Sequence, residues 1–335
     1  MKSMEKRPII AITMGDPVGI GPEIIPKALI ESEVYEACRP LVLGDVGVIT
    51  AASDGLNTGL RIHRVDSPEA GVYQQGSIDV IGISELDCSR LQHGHPIPET
   101  GRAMVAYITK AIDWALQGRI QGLATCPINK VALRMAGVEF DGHTELLAER
   151  TKTSDYIMML AGSRLRVALV TIHLPLARVP EKLTTEAVFK TIQITDDALK
   201  SAFGIPKPRL AVAGLNPHAG ENGLFGDEET QIISPAVRKA SKADIDVSGP
   251  YPPDTVFYRA IEGQWDAVVC MYHDQGLIPF KMIHFSDGVN VTLGLPIVRT
   301  SVDHGTAYDI VGTGKADPGS LVAAIRMAAE LSGNR

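Results

Sequence analysis

Three histidines occupy equivalent places in this chain. Residues 165–172 read LRVALVTI and lead into His173. Residues 209–215 read RLAVAGL and lead through Asn216 and Pro217 into His218. Residues 266–272 read DAVVCMY and lead into His273. Each run has the length and apolar, β-branched content of a buried strand. Parallel strands place their carboxyl ends at one edge, where open α/β sheets bind ligands. Three imidazoles there can converge on one point or on an interface. Neutral imidazoles with open positions suit zinc, cobalt, iron or nickel better than calcium.

Other candidates surround them. Lys281, Asn290 and Arg299 follow His273, interleaved with apolar residues. A phosphorylated or carboxylated substrate needs such cations and an amide. Residues 142–145 read GHTE before a helical stretch. His143, Thr144 and the free N–H groups of a helix start can meet an anion. Residues 304–309 read HGTAYD, a Gly-rich loop able to wrap a nucleotide. Residues 15–23 read GDPVGIGPE; the glycines allow a tight turn and Pro22 suits a first helical turn. That spacing is not the GxGxxG fingerprint, and no Walker lysine follows. His93 and His95 lie in a Pro/Gly-rich loop with no acid or cysteine to complete a metal site, which favours a plain loop role.

The elements that must position these groups alternate between strand and helix. Residues 8–14, 122–125, 156–160 and 267–271 read as strands, and 100–117, 184–203 and 226–242 as helices. Residues 40–48 read as a strand running into a Gly-Asp turn at Gly44 and Asp45, and 126–137 as a turn into a helix. At 335 residues with 45% hydrophobic content, the chain suits two α/β domains or one large one. A net charge of −7 gives no footprint for nucleic acid or an anionic membrane. Four scattered cysteines form no CxxC, which fits a reducing compartment. No signal-peptide pattern or membrane-spanning run occurs, so the expected location is cytoplasmic.

The motifs ITMGDPVGIGPE, ATCPINK, DGHTE, TIHLPL, GLNPHAGE, GPYPPDT, YHDQG and the run from GVNVTLGLPIVRT to GTGKADP cover the chain almost end to end. With them the chain closely resembles the 4-hydroxythreonine-4-phosphate dehydrogenase family of vitamin B6 biosynthesis. The first turn reads Met-Gly-Asp-Pro where other members read Pro-Gly-Glu-Pro, with acid and proline kept in kind.

The resemblance implies a two-domain α/β/α fold like that of isocitrate and isopropylmalate dehydrogenases, with the active site in the interdomain cleft. It implies a nucleotide-associated domain of residues 1–127 with 291–335, and a central metal, substrate and dimerisation domain of 128–290. It implies a homodimer whose divalent metal (zinc, magnesium or cobalt) is held by His173, His218 and His273, shared between subunits. Substrate contacts carry over to His143, Thr144, Lys281, Asn290 and Arg299. NAD, or NADP, would lie along His304, Gly305 and Asp309, by likeness to the more distant dehydrogenases. The implied reaction oxidises 4-phosphohydroxy-L-threonine to a β-keto acid that decarboxylates to 3-amino-2-oxopropyl phosphate. Lys281 would hold charged substrate oxygens, and Asp254 or Asp274 could polarise a ligand histidine or relay a proton.

Two alternatives stand beside this expectation. Relatives act on 4-phospho-D-threonate or D-erythronate to give dihydroxyacetone phosphate, and others on aromatic cis-dihydrodiol carboxylates. A protein of another class, a non-redox phosphate-ligand binder or acyltransferase-like protein, would lack NAD binding. Neither nucleic acid nor membrane is an expected partner.

Overall fold

The structure is a computed structural model that describes residues 7–138 and 142–335. Asp141 of the DGHTE motif lies outside the described residues. The chain divides into two compact units, Met1–Ser154 with Leu295–Gly333, and Asp155–Gly294 with Asn334–Arg335.

The first unit opens with β1 (Ile9–Thr13), α1 (Gly21–Ala28), α2 (Ser32–Ala37), β2 (Arg39–Asp45), α3 (Val46–Gly55), β3 (Arg61–Val65) and β4 (Ser77–Ser84). It continues with α4 (Pro98–Leu116), β5 (Gly122–Thr125), α5 (Lys130–Met135) and α6 (His143–Thr151). The second unit comprises β6 (Ile157–Ala161), β7 (Arg166–Leu169), α7 (Val179–Lys182), α8 (Thr185–Ser201), β8 (Leu210–Ala213), α9 (Ser234–Ser241) and β9 (Val247–Tyr251). It ends with α10 (Pro253–Ile261), β10 (Ala267–Cys270), α11 (His273–Ile283) and β11 (Val289–Leu293). The chain then returns to the first unit for β12 (Val298–Val302) and α12 (Gly319–Asn334).

In the first unit the strands run β3-β4-β2-β1-β5-β12, with parallel neighbours throughout. In the second they run β11-β6-β7-β10-β8-β9. There β6 pairs antiparallel with β11 and β7, while β7, β10, β8 and β9 are parallel. β1, β5, β8 and β10 are buried at every residue. Covering on both faces explains why they read as unbroken apolar runs. The second unit's core joins Val167, Leu169, Val268 and Cys270 to Phe257, Leu277 and Phe280 of the helices.

Two local expectations needed correction. The Gly-Asp turn at Gly44 and Asp45 is the end of β2, and the carboxylate of Asp45 caps α3 by accepting from the Val48 amide at 3.1 Å. The run 165–172 leaves the strand after Leu169, because the Val170 and Thr171 amides turn to Cys270 and Met271 carbonyls. The helix expected over 226–242 is present as one continuous run that opens with a wider-wound turn at Glu229–Ile233 and continues as α9.

The sequence reading divides the chain at 127/128 and 290/291, whereas the compact units divide at 154/155 and 294/295. Packing accounts for the difference. Ala132 and Leu133 of α5 close on Met104 of α4, and Arg150 of α6 pairs with Asp113 of α4 at 2.7 Å. Gly101 makes the α4–α5 approach possible, since a Cβ there would lie 2.1 Å from the Ala132 carbonyl oxygen. Gly101→Ala should therefore push α5 off α4 and cost about 1–3 kcal/mol, as overpacking does. Urea unfolding measures it; an unchanged midpoint would show that α5 is not seated on α4.

Candidate active site

The three histidines follow three adjacent parallel strands. β10 lies between β7 and β8, with Val268 opposite Val167 and Ala211. Their carboxyl ends therefore share one edge. The loop after β7 is fastened to the loop after β10: the Thr171 amide and hydroxyl both donate to the Met271 carbonyl, the hydroxyl at 2.7 Å. This brings His173 and His273 together with ring centroids 5.9 Å apart. Asp274 Oδ1 lies 2.7 Å from His273 Nδ1. A carboxylate there orients the ring and leaves Nε2 as the donor to a metal.

Buried Gln275 joins the third loop. Its side-chain oxygen accepts from the Met271 amide, and its nitrogen donates to the Gly214 carbonyl, both at 2.6 Å. Glu229 supports the segment carrying His218. Its buried carboxylate accepts from the Leu215 and Asn216 amides at 2.7 Å and from Asn216 Nδ2 at 2.9 Å. Beyond it, His218, Ala219, Gly220, Glu221 and Asn222 all have positive φ. Left-handed backbone is unfavourable for residues other than glycine, so this turn depends on such anchoring.

Two imidazoles thus suit a divalent metal, with a carboxylate behind one of them. Among the described residues of this single chain, no group of three histidine, cysteine or acidic side chains is close enough to hold a metal ion. The structure brings His173 and His273 together and does not add His218 to them. Asp274 contacts a candidate ligand, whereas Asp254 stands exposed in the first turn of α10. Lys281 lies on α11 and Asn290 on β11, opposite Leu160 of β6.

The first unit assembles a second set. Arg299 of β12 is 3% exposed and donates to Thr125 Oγ1 at the end of β5, at 2.8 Å. His143 and Thr144 open α6, whose N-cap Gly142 supplies no side-chain cap. Burial, with the nearby Arg299 charge, holds the His143 imidazole well below its usual 6.5. Burial lowers the Arg299 guanidinium to about 10, against the opposing pull of Glu145. At neutral pH the pair is a neutral imidazole beside a cation. His143 Nε2 is buried without a hydrogen-bond partner among the described residues. A cation, an imidazole and a helix start together suit an anionic substrate group.

The first unit also holds a cavity of about 410 Å3, within the roughly 300–1,000 Å3 range of small-molecule sites. Pro17, Val48, Ala52, Leu56, Val311 and Gly312 are among its lining residues. Of the Gly-rich C-terminal loop, the wall takes Val311–Gly314 rather than His304, Gly305 and Asp309. His93, read from sequence as a loop residue, also lines it. Sequence reasoning missed Thr171, Gln275 and Glu229; the first two lie inside the quoted TIHLPL and YHDQG motifs, next to histidines.

The half-buried His143, whose Nε2 is shielded from water, makes stability pH-dependent. The unfolded chain takes up a proton below about 6.5, where the folded chain keeps His143 neutral. Stability is therefore lost as pH falls through 6.5, at up to about 1.4 kcal/mol per pH unit. His143→Gln should flatten that slope in urea titrations between pH 5 and 7 (roughly the range where histidine titrates). An identical slope in the variant would show that His143 is not the group responsible.

The profile of the pyridoxal phosphate biosynthetic protein PdxA family matches residues 36–328. The chain is 60% identical to 4-hydroxythreonine-4-phosphate dehydrogenase of Desulforapulum autotrophicum, over 97% of this chain and 96% of that one. It is 46% identical to a protein of Symbiobacterium thermophilum provisionally named D-threonate 4-phosphate dehydrogenase, over 98% and 97%. The crystal structure of 4-hydroxythreonine-4-phosphate dehydrogenase from Klebsiella pneumoniae superposes with a TM-score of 0.91 at 42% identity, covering 98% of each chain.

Proposed function

The chain belongs to the PdxA family, and on that premise we propose that it oxidises 4-phosphohydroxy-L-threonine with NAD in pyridoxal phosphate biosynthesis. The product is a β-keto acid that loses carbon dioxide to give 3-amino-2-oxopropyl phosphate. The observation that carries the reading is the His173–His273 pair at the edge of parallel strands, with Asp274 on one ring. His218 completes the ligand set on this reading, across a homodimer. That accords with the two-imidazole grouping of His173 and His273 among the described residues of one chain.

A divalent ion held by these imidazoles would lower the pKa of the substrate alcohol and offset the charge that develops on decarboxylation. The protein's own groups bind and orient the substrate. Arg299 and Lys281 hold charged oxygens, Asn290 fixes orientation, and His143 and Thr144 add hydrogen bonds at the start of α6. Neutral His143 can donate to an anion without demanding a proton from solution. Asp274, rather than Asp254, is the acid in contact with a ligand imidazole, so it orients His273 and relays a proton. The small cavity, partly apolar with a few polar groups, suits the adenosine half of a dinucleotide. The more distant likeness to isocitrate and isopropylmalate dehydrogenases motivates its assignment to NAD, with His304, Gly305 and Asp309 on the loop that leads into its wall.

A homodimer is supported by the exposed apolar side chains of the second unit. Ile278 and Met282 on α11 and Phe285 just beyond it are 60%, 83% and 83% exposed. Ile278 and Met282, four residues apart, share one face of α11, and Phe285 follows the helix end. A cytoplasmic location suits the four free cysteines, and among the described residues no helix is long and apolar enough to cross a membrane.

NADH formation by the zinc- or magnesium-supplemented protein should favour 4-phosphohydroxy-L-threonine over 4-phospho-D-threonate and 4-phospho-D-erythronate. Preference for a sugar-acid phosphate would move the protein to the activity named for the Symbiobacterium relative. No NADH with any of the three would overturn the dehydrogenase reading.

Met282→Glu should convert the dimer to monomer and abolish turnover, because the ligand set would then be incomplete. Sedimentation together with the NADH assay checks this. A fully active monomer would remove the shared-site proposal.

A further inference from the structure

Glu23 sits in the first turn of α1 and is 6% exposed. It is the acidic residue in the wall of the first unit's cavity, and no lysine or arginine lines that wall among the described residues. Its two carboxylate oxygens differ. Oε1 accepts from the amide of Gly312, which also lines the cavity. Oε2 is buried and has no hydrogen-bond partner among the described residues. Buried polar atoms are nearly always satisfied, so an unmet carboxylate oxygen at a cavity wall points to a donor on a ligand.

The surroundings keep this acid in place. One helical turn later, Lys27 donates to the Gly314 and Ala316 carbonyls at 2.6 and 2.7 Å. The Tyr308 hydroxyl donates to Asp16 in the turn before α1. The Ile20 amide donates to the Thr306 carbonyl at 3.1 Å. The loop that forms one wall is thus pinned to the segment that carries Glu23. Gly19, Ala51, Ala52, Gly55 and Leu56 make one part of the wall small and apolar, as a flat purine requires, with His93, Cys88 and Thr313 also in the lining.

We propose that Glu23 reads the adenosine ribose: Oε2 accepts from the 2′-hydroxyl of a dinucleotide seated in this cavity, and the carboxylate rejects a 2′-phosphate. The proposal rests on the cavity being the cofactor site. Acids that hydrogen-bond this hydroxyl select NAD in unrelated dinucleotide folds. A 2′-phosphate would meet this carboxylate with no guanidinium or ammonium in the wall to offset it. Asp309, one of the residues along which the cofactor was expected to lie, is exposed and outside this wall.

The test is fluorescence titration with NADH, NADPH and the 2′-deoxyadenosine analogue of NADH, on wild type, Glu23→Gln and Ala51→Trp. Glutamine keeps an oxygen for the Gly312 amide but presents an uncharged amide donor in place of Oε2. Wild type should bind NADH about 10–100-fold tighter than the 2′-deoxy analogue, the loss expected for a hydrogen bond to a charged acceptor. It should also reject NADPH. Glu23→Gln should erase most of both differences, which a loop anchor alone would not do. Equal wild-type affinity for NADH and its 2′-deoxy analogue overturns the proposal without recourse to any variant. Ala51→Trp, at an exposed wall position, separates the two readings. If it weakens NADH binding while Glu23→Gln keeps wild-type discrimination, only the role of Glu23 falls. If it leaves NADH binding unchanged, the cavity is not the cofactor site and both readings fall.

Discussion

The second unit depends on how three parallel strands end. β7, β10 and β8 lie side by side, and each must turn its last amides and carbonyls toward something once pairing stops. Here each turns toward the next loop. Thr171 closes on the Met271 carbonyl, and Gln275 spans from the Met271 amide to the Gly214 carbonyl. All are buried, so each bond is costly to break without a replacement. The result is an edge whose loops cannot drift independently. His173 and His273 are held as a pair because the backbone that carries them is one hydrogen-bonded unit.

The first unit solves a different problem, that of keeping a charge where water is scarce. Arg299 is almost wholly buried, which lowers its guanidinium to about 10 yet leaves it charged at neutral pH. Thr125 supplies an acceptor and Glu145 a compensating charge. His143 bears the consequence, since a second cation beside Arg299 would be unfavourable and burial works in the same direction. A buried cation with a neutral neighbour is poised for an anion.

Much of this was legible in the sequence where the physics is local. β1, β8 and β10 are buried on both faces, so their apolar runs gave them away, and a histidine just past such a run is at a strand's carboxyl end. α3 was not legible. Residues 40–48 are apolar enough to read as one strand, and the helix starts there because Asp45 caps it. The unit boundary was also hidden, since α5 and α6 have no compositional mark. They belong to the first unit through Leu133 against Met104 and Arg150 against Asp113. Gln275 and Glu229 escaped notice for a related reason. Their roles lie in hydrogen bonds to backbone 61 and 14 positions away, which no periodicity encodes.

The chain's connectivity then becomes intelligible. Glu23 and Gly312 meet although 289 positions separate them, with the whole second unit between. Such a closure would be slow and entropically costly if the intervening chain were a loose loop. It is not loose, because β6 and β11 bracket the second unit and pair antiparallel, Ile157 opposite Leu293. Gly294 then packs with its Cα so near the Asp155 carbonyl that a Cβ would lie 2.4 Å from that oxygen, and its φ of +91° also favours glycine. The chain therefore leaves and re-enters at adjacent points. Once the second unit has folded, it acts on the first as a short connection. β12 and the loop after it can reach α1 without ordering a long segment first. Pairing of β6 with β11 thus lowers the entropic cost of bringing Gly312 to Glu23.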